Sequence, residues 1–453
     1  MMDFQDKKIL VVGAGISGIA VAAILQQKGA TVTLNDNKQE QDLLQDVTPA
    51  RKAGVAVVLG KQDNTLLDTA DMIVISPGVP TSIPLIREAE ARRIPVISEI
   101  EVAYQLCKAP MVAITGTNGK TTTTTLLGEL MKTANDDVVV GGNIGMALSA
   151  ETEAVSADGI VVAEISSFQL ERVQDFCPKV AAILNVTPDH IDRHGSFDNY
   201  RLTKERIFAK QSKDEYVVLN YDEPIVRDMA SRATGTVFYF SRMVELTNGM
   251  FVKDGLIVLN WDGETIEVCP LSELQIKGNH NVENALAACS VAFLAGVKTS
   301  DMRDVLANFQ SVEHRIEFVR ELDGVGYYND SKATNPESAI KALEAFADGI
   351  VLIAGGHDKM TDLTEFMTKI KERVTHLVLI GEAAGRFRAE AEKMGIAPIT
   401  DMGYSMEDAV KFAHSVAKSG ETVVLSPACS SYDMFNSYEE RGREFKRLVH
   451  LLF

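Results

Sequence analysis

Basic residues are in short supply, with 45 Lys and Arg against 63 Asp and Glu and a formal net charge of -18. This argues against a phosphate-backbone binder, because nucleic-acid affinity comes chiefly from cationic side chains that release counterions. Cysteine is scarce too. The five cysteines, Cys107, Cys177, Cys269, Cys289 and Cys429, are far apart, odd in number and in no CxxC or Cys/His cluster of metal-ligand spacing, which fits a reducing cytosol. No apolar stretch approaches the roughly 20 uninterrupted residues of a membrane-spanning helix. In the opening MMDFQDKKILVVGAGISG, glycines interrupt the hydrophobic run before it forms a signal-peptide core. Fixed-period repeats and low-complexity tracts are missing as well. The expectation is a cytoplasmic protein, a monomer, with no nucleic-acid partner and no membrane insertion.

What remains is an ordinary globular composition, 46% hydrophobic and 24% charged, able to bury a sizeable core. At about 100 to 200 residues per domain the length suggests two to four domains, and three clusters of strands favour three. Short β-branched runs recur, each followed by a Gly- or Asn-rich turn and a helical pattern, the signature of parallel α/β units. KILVV, ATVTLND and DMIVISPG form the first cluster, MVAIT, GIVVAEIS and VAAILNV the second, and GIVLIAGG, THLVLIG and ETVVLSPA the third. The expected domains are residues 1–98, 99–312 and 313–453. The first break falls in the stretch from Glu99 to Pro110 and the second near Phe309 to His314.

Two glycine-rich turns carry phosphate chemistry. Gly13-Ala14-Gly15-Ile16-Ser17-Gly18 joins the strand KILVV to a helical pattern, where glycines permit a tight turn and the helix N-terminus favours an anion. Asp36 ends the next strand, 18 residues after Gly18, where a ribose-binding acid would sit. These residues fit an NAD-dependent dehydrogenase, and equally a turn that binds no dinucleotide. Gly116-Thr117-Asn118-Gly119-Lys120-Thr121-Thr122 follows MVAIT and opens a second helix. Its amides can surround a polyphosphate, its Lys neutralise phosphate oxygens and its Thr reach Mg²⁺. Ile114 stands where the general GxxxxGK[ST] pattern has its first glycine, so the loop is shorter. ATP or GTP binding is expected here, either in an enzyme or in a nucleotide switch without turnover.

Other polar groups follow apolar strands, the edge where α/β sheets place ligands. Glu164 and His190 are candidates for Mg²⁺, since a carboxylate buried at a strand end needs a partner. Lys204, among charges on a helical pattern, reads by itself as solvated surface. Asn281 and Asn284 are three apart and share a helix face, with N-capping as the alternative for Asn281. Arg315, Lys332 and Lys359, near NDSKATN, GGHDK and SPACSS, would make one sheet edge cationic and suited to a small anion.

Together the segments GTNGKTTT, GGNIG, EISSFQLE, NVTPDHIDRHG with YRLTKERI, GNHNVENALAA, EHRIE, NDSKATNP and LSPACSSYDMFNSYEERG resemble the Mur ligases, ATP-dependent amide-forming enzymes of bacterial cell-wall precursor synthesis. The resemblance spans essentially the whole chain. It implies an α/β fold of three domains: an N-terminal Rossmann-like domain for a UDP-sugar, a central ATP-binding domain of P-loop type, and a C-terminal Rossmann-like domain for an amino acid. The implied substrates are ATP, UDP-N-acetylmuramoyl-L-alanine and D-glutamate, and the implied chemistry runs through an acyl phosphate.

Residue by residue, the resemblance implies UDP-substrate contacts at Ile16, Ser17, Asp36, Asn37, Ser76, Pro77, Gly78, Asn143 and His190. It implies an ATP site at Gly116 to Thr122 with Asn281, Asn284, Arg315 and Asp330, and D-glutamate contacts at Thr334, Lys359, Ser431 and Tyr438. Two Mg²⁺ ions are implied at Thr121, Glu164, His190 and Lys204, the last as a CO₂-derived carbamate. Lys120, Glu164, His190 and Lys204 are the implied catalytic set. Carbamate formation needs a neutral amine, so the Lys204 pKa has to be lowered, by burial or by a neighbouring cation such as Arg206 or a metal ion.

Overall fold

The computed structural model describes the chain except residues 1, 44, 144–146, 277, 311–312 and 347–348. Ile144 and Gly145 of the GGNIG segment, and the domain boundary expected at residue 312, lie outside the described residues. The β-branched runs are strands, gathered into three sheets. Five parallel strands form the first, in the order Ala56–Leu59, Thr31–Asp36, Lys8–Val12, Met72–Ile75 and Val96–Ser98.

The second sheet has nine strands. Met111–Thr115 lies inside it between Ile160–Glu164 and Val180–Ile183, all parallel and all buried along their length. Helices on both faces exclude water from such strands, which explains why they read as unbroken apolar runs. The third sheet has six strands, parallel except for the hairpin Glu317–Leu322 with Val325–Asn329 at one edge. The described chain forms two compact units, residues 1–273 with 283–307 and residues 274–282 with 308–453. The first two sheets therefore share a unit.

The stretch from Glu99 to Pro110 is largely the helix Glu99–Leu106. The carboxylate of its buried Glu101 accepts the backbone N–H groups of Gln174, Asp175 and Phe176 at 2.8, 3.1 and 3.2 Å. The residues that follow the first sheet are thus fastened to the second. The nine-stranded sheet also carries an antiparallel edge not read from the sequence, made by Gly249–Lys253, Leu256–Trp261 and Glu264–Pro270. Its two turns are Asp254-Gly255 and Asp262-Gly263, with all four residues at positive φ, the backbone that two-residue hairpin loops require.

At the first glycine-rich turn, a Cβ on Gly18 would overlap the carbonyl oxygen of Gly13. The helix Ile16–Gln27 can start this close to its strand only with hydrogen at that position. Gly18→Ala is expected to lower stability by about 1–3 kcal/mol through overpacking. A urea melt with an unchanged midpoint would show that the turn has slack.

Candidate active site

The loop after Met111–Thr115 is held from three sides. Gly119, at φ 82°, is the N-cap of the helix Lys120–Lys132, and a Cβ there would collide with the Asn284 side chain. From the adjacent strand end, Asn185 accepts the Asn118 N–H through Oδ1 at 2.8 Å and donates through Nδ2 to the Asn118 carbonyl at 3.1 Å. Its own carbonyl accepts the Thr117 N–H at 3.1 Å. The Thr117 hydroxyl lies 3.1 Å from the Tyr200 hydroxyl and accepts the Thr187 N–H at 3.1 Å.

Two lysines meet at this loop. Lys120 Nζ donates to the carbonyls of Gly116 and Thr117 at 2.9 and 2.8 Å, and Lys204 Nζ donates to the same Gly116 carbonyl at 2.8 Å. The surface reading of Lys204 is overturned: the residue is 1% exposed, its ammonium lying 4.6 Å from the centre of the Tyr200 ring. Burial holds its pKa well below the ordinary lysine range, positive Lys120 pushes the same way, and Asp189 opposes them. The expected cation, Arg206, is not the neighbour responsible; its guanidinium donates to the Val173 carbonyl at 2.7 Å. Side chains two apart on a helix point to different faces, so Lys204 and Arg206 separate.

Glu164 pairs in register with Ile114, two residues before the loop. One of its oxygens accepts Asn143 Nδ2 at 2.8 Å, while Oε2 is buried with no hydrogen-bond partner. An orphaned carboxylate oxygen beside a phosphate loop fits a hard dication. His190 caps the short helix Ile191–His194 in a left-handed conformation. Its ring packs on Phe168 with centroids 4.8 Å apart, and its Nε2 lies 3.6 Å from Asp189 Oδ2. Phe168 also stacks on His194, which packs against Tyr200, so ring contacts connect His190 with the loop.

The first turn opens on a cavity of about 580 Å³ lined by Ile16, Ser17, Asp36, Asn37, Ser76, Pro77, Gly78 and Asn143. Of the nucleotide-substrate candidates, only His190 is not in its wall. Asp36 accepts the Ala14 N–H at 2.8 Å and the Lys38 N–H at 3.0 Å, and so braces the turn. Asn284 accepts the Thr123 hydroxyl at 3.2 Å. Asn281 is buried inside the first turn of the helix Asn279–Ala295, beyond a capping position.

The second unit gathers its own set. Asp330 is fully buried, accepts from Ser426 Oγ at 2.7 Å and the Ile316 N–H at 3.2 Å, and faces Arg315 at 3.8 Å. Burial pushes its pKa up to about 6, against the pull of Arg315. Arg441 is buried and donates to the carbonyls of Cys429, Ser430 and Ser331, tying the NDSKATN loop to the SPACSS loop. Ser431 is buried beside it, and Tyr438 opens the same helix as Arg441. Thr334 is partly buried within the NDSKATN loop; Lys359 is exposed in the turn whose His357 N–H donates to the Ser430 carbonyl at 2.9 Å. Neither Asn185 nor Arg441 was singled out from sequence. Asn185 lies two residues past the end of the strand Val180–Ile183, close to the sort of position that signalled Glu164 at the end of Ile160–Glu164, on the other side of Met111–Thr115.

Fold and loop thus define a phosphate-binding α/β protein with a separate cavity at its first turn. Three family models match in order: Mur ligase MurD-like, N-terminal domain, over residues 7–98; Mur ligase middle domain, over 114–292; and Mur ligase, glutamate ligase domain, over 314–429. The UDP-N-acetylmuramoylalanine–D-glutamate ligase of Thermoanaerobacter sp. (strain X514) is 46% identical over 450 residues, covering 99% of both chains. The ligase of the same name from Pelotomaculum thermopropionicum is 46% identical over 449 residues, covering 99% of this chain and 98% of that one. The UDP-N-acetylmuramate-alanine ligase structure from Thermotoga maritima superposes with a TM-score of 0.62 at 20% identity, over 98% of this chain and 99% of that one, a likeness of fold. The chain belongs to the Mur ligase family. It is an ATP-dependent, amide-forming ligase of three α/β domains, and the family uses ATP with Mg²⁺.

Asn185→Ala would remove both side-chain bonds that hold Asn118, each worth about 1 kcal/mol. ATP affinity, measured by titration calorimetry, is expected to fall about tenfold or more while Ile160–Glu164 and its neighbours stay folded. Unchanged affinity would mean that the loop holds its shape without this brace.

Proposed function

We propose that this ligase joins D-glutamate to UDP-N-acetylmuramoyl-L-alanine, converting ATP to ADP and phosphate, in peptidoglycan precursor synthesis. The observation that carries the reading is the convergence of Lys120 and Lys204 on the Gly116 carbonyl, at the sheet edge where Glu164 leaves a buried oxygen unpartnered. The names and full-length coverage of the relatives support the choice of substrates. The reading includes a cytoplasmic location and a monomer.

A carboxylate does not acylate an amine at neutral pH, so the alanyl carboxylate must first be activated. In this reading it attacks the γ-phosphate of ATP, the phosphoryl group passes to the carboxylate oxygen, and ADP leaves. The D-glutamate amine then adds to the acyl phosphate carbonyl, and the tetrahedral intermediate expels phosphate and loses a proton to leave the amide. Bound Mg²⁺ supplies charge compensation for the phosphates. Gly116 to Thr122 cradle the triphosphate, with Lys120 turning from its own loop carbonyls to phosphate oxygens. Thr121, Glu164 and His190 are the proposed metal ligands, joined by Lys204 when CO₂ has converted its neutral amine to a carbamate.

Further assignments complete the set. Ile16, Ser17, Asp36, Asn37 and Ser76 to Gly78 hold the UDP portion, and Asn143 and His190 the part nearer the reacting carboxylate. Asn281, Asn284, Arg315 and Asp330 take adenine and ribose, and Thr334, Lys359, Ser431 and Tyr438 take D-glutamate.

Phosphate release is expected only when ATP, UDP-N-acetylmuramoyl-L-alanine and D-glutamate are all present; equal release without the last two would sink the reading. Lys204→Ala is expected to lower kcat at least about 100-fold, or ~2.7 kcal/mol of barrier at 1.36 kcal/mol per decade. A near-normal rate would remove the carbamate. The pH sign follows from the lowered Lys204 pKa: the amine is neutral above it and becomes protonated as pH falls through it. The rate should therefore drop on acidification and rise with added bicarbonate, both read from phosphate release in CO₂-depleted buffer.

A further inference from the structure

Arg193 has no part in the chemistry above, yet its contacts join two regions that the substrate must span. Its Nε and Nη2 donate to the two carboxylate oxygens of Glu171 at 2.9 and 2.8 Å. The same Nη2 donates to the Val79 carbonyl at 2.9 Å and reaches the Pro77 carbonyl at 3.5 Å. Pro77 and Val79 belong to the wall of the nucleotide cavity, which Arg193 itself does not line. The guanidinium also lies 4.9 Å from the centre of the Phe168 ring, the ring on which His190 packs. Both members of the Arg193–Glu171 pair are largely buried, their side chains 14% and 11% exposed.

A bidentate, charge-assisted pair fixes geometry as well as adding energy. This one is placed where geometry matters: on one side a loop from the first sheet that faces the nucleotide cavity, on the other the turn that carries His190. A substrate that reaches from that cavity to the acid-activating centre presents its carboxylate correctly only if the distance between the two is held. Misplacement by an ångström is enough to lose about 100-fold in rate. We infer that Arg193 is a positioning residue, which locks the Ser76 to Val79 loop to the His190 turn and so sets the span over which the nucleotide-linked acid is bound. The inference rests on the ligase reading of the same site.

The test is steady-state kinetics of Arg193→Ala and Arg193→Lys, with UDP alone as a binding probe. For Arg193→Ala, KM for UDP-N-acetylmuramoyl-L-alanine should rise about tenfold and kcat should fall, while KM for ATP and for D-glutamate stays within about twofold. UDP occupies only the cavity end, so its Kd should also stay within about twofold. Arg193→Lys keeps the charge but cannot pair with a carboxylate in two places and reach a carbonyl; it should fall between, and it carries the test if the alanine variant does not fold. An unchanged KM for the nucleotide substrate overturns the inference. So does a parallel rise in all three KM values and in the UDP Kd, the mark of a merely structural loss. A wild-type chain that releases no phosphate with every substrate present overturns the ligase reading and this inference with it, whereas an active wild type with an indifferent variant overturns the inference alone.

Discussion

Two ammonium groups directed at one carbonyl oxygen are the constraint around which the centre is arranged. Lys120 and Lys204 both donate to Gly116, and Lys204 does so from a fully buried helix face. Like charges in a poorly solvated place raise each other's cost, and the more buried group gives up its proton first. Lys204 is that group. The same arrangement holds the Lys120 ammonium against the loop and, behind it, a lysine whose pKa burial, helped by Lys120, keeps well below the ordinary range.

Holding that arrangement falls to the parallel sheet. Because Met111–Thr115 lies between Ile160–Glu164 and Val180–Ile183, the residues beyond all three carboxyl ends surround one loop. Glu164 contributes a carboxylate, Asn185 the bonds that shape the loop, and Gly116 the shared acceptor. Rings then join the neighbouring segment: His190 and His194 on Phe168, His194 on Tyr200, and Tyr200 on the Thr117 hydroxyl. Within the second unit, buried charge is managed differently. Arg441 has carbonyl and hydroxyl acceptors instead of a carboxylate, and burial lowers its pKa to about 10. Asp330 keeps two hydrogen bonds and a distant guanidinium.

Much of this was legible beforehand for a definite reason. Parallel strands buried on both faces leave continuous apolar runs, so MVAIT, GIVVAE and VAAILNV stood out, and the polar residue after each run was a natural candidate. Glu164 was found in this way. Lys204 was not: its neighbours in sequence are charged because they occupy other faces of the same helix, and only the packing of Tyr200 and the loop against one face buries it. The antiparallel edge is less legible although Asp254-Gly255 and Asp262-Gly263 mark its turns, because its strands are buried over only part of their length and lack the unbroken apolar runs of the parallel ones. Arg441 was hidden for a related reason. A buried arginine on a charged helix looks like any other until its acceptors, 11 to 110 residues away in the chain, are known.

The sequence by itself determined the parallel α/β class, the two glycine turns and the edge of each sheet on which polar side chains collect, since these depend on local backbone freedom and on hydrophobic period. The tertiary structure alone decided which of those polar groups are buried, which have their proton affinity shifted and which are braces. Protonation and hydrogen bonding depend on burial and on partners distant in sequence, and those exist only once Lys204, Gly116 and Asn185 are packed around the same turn.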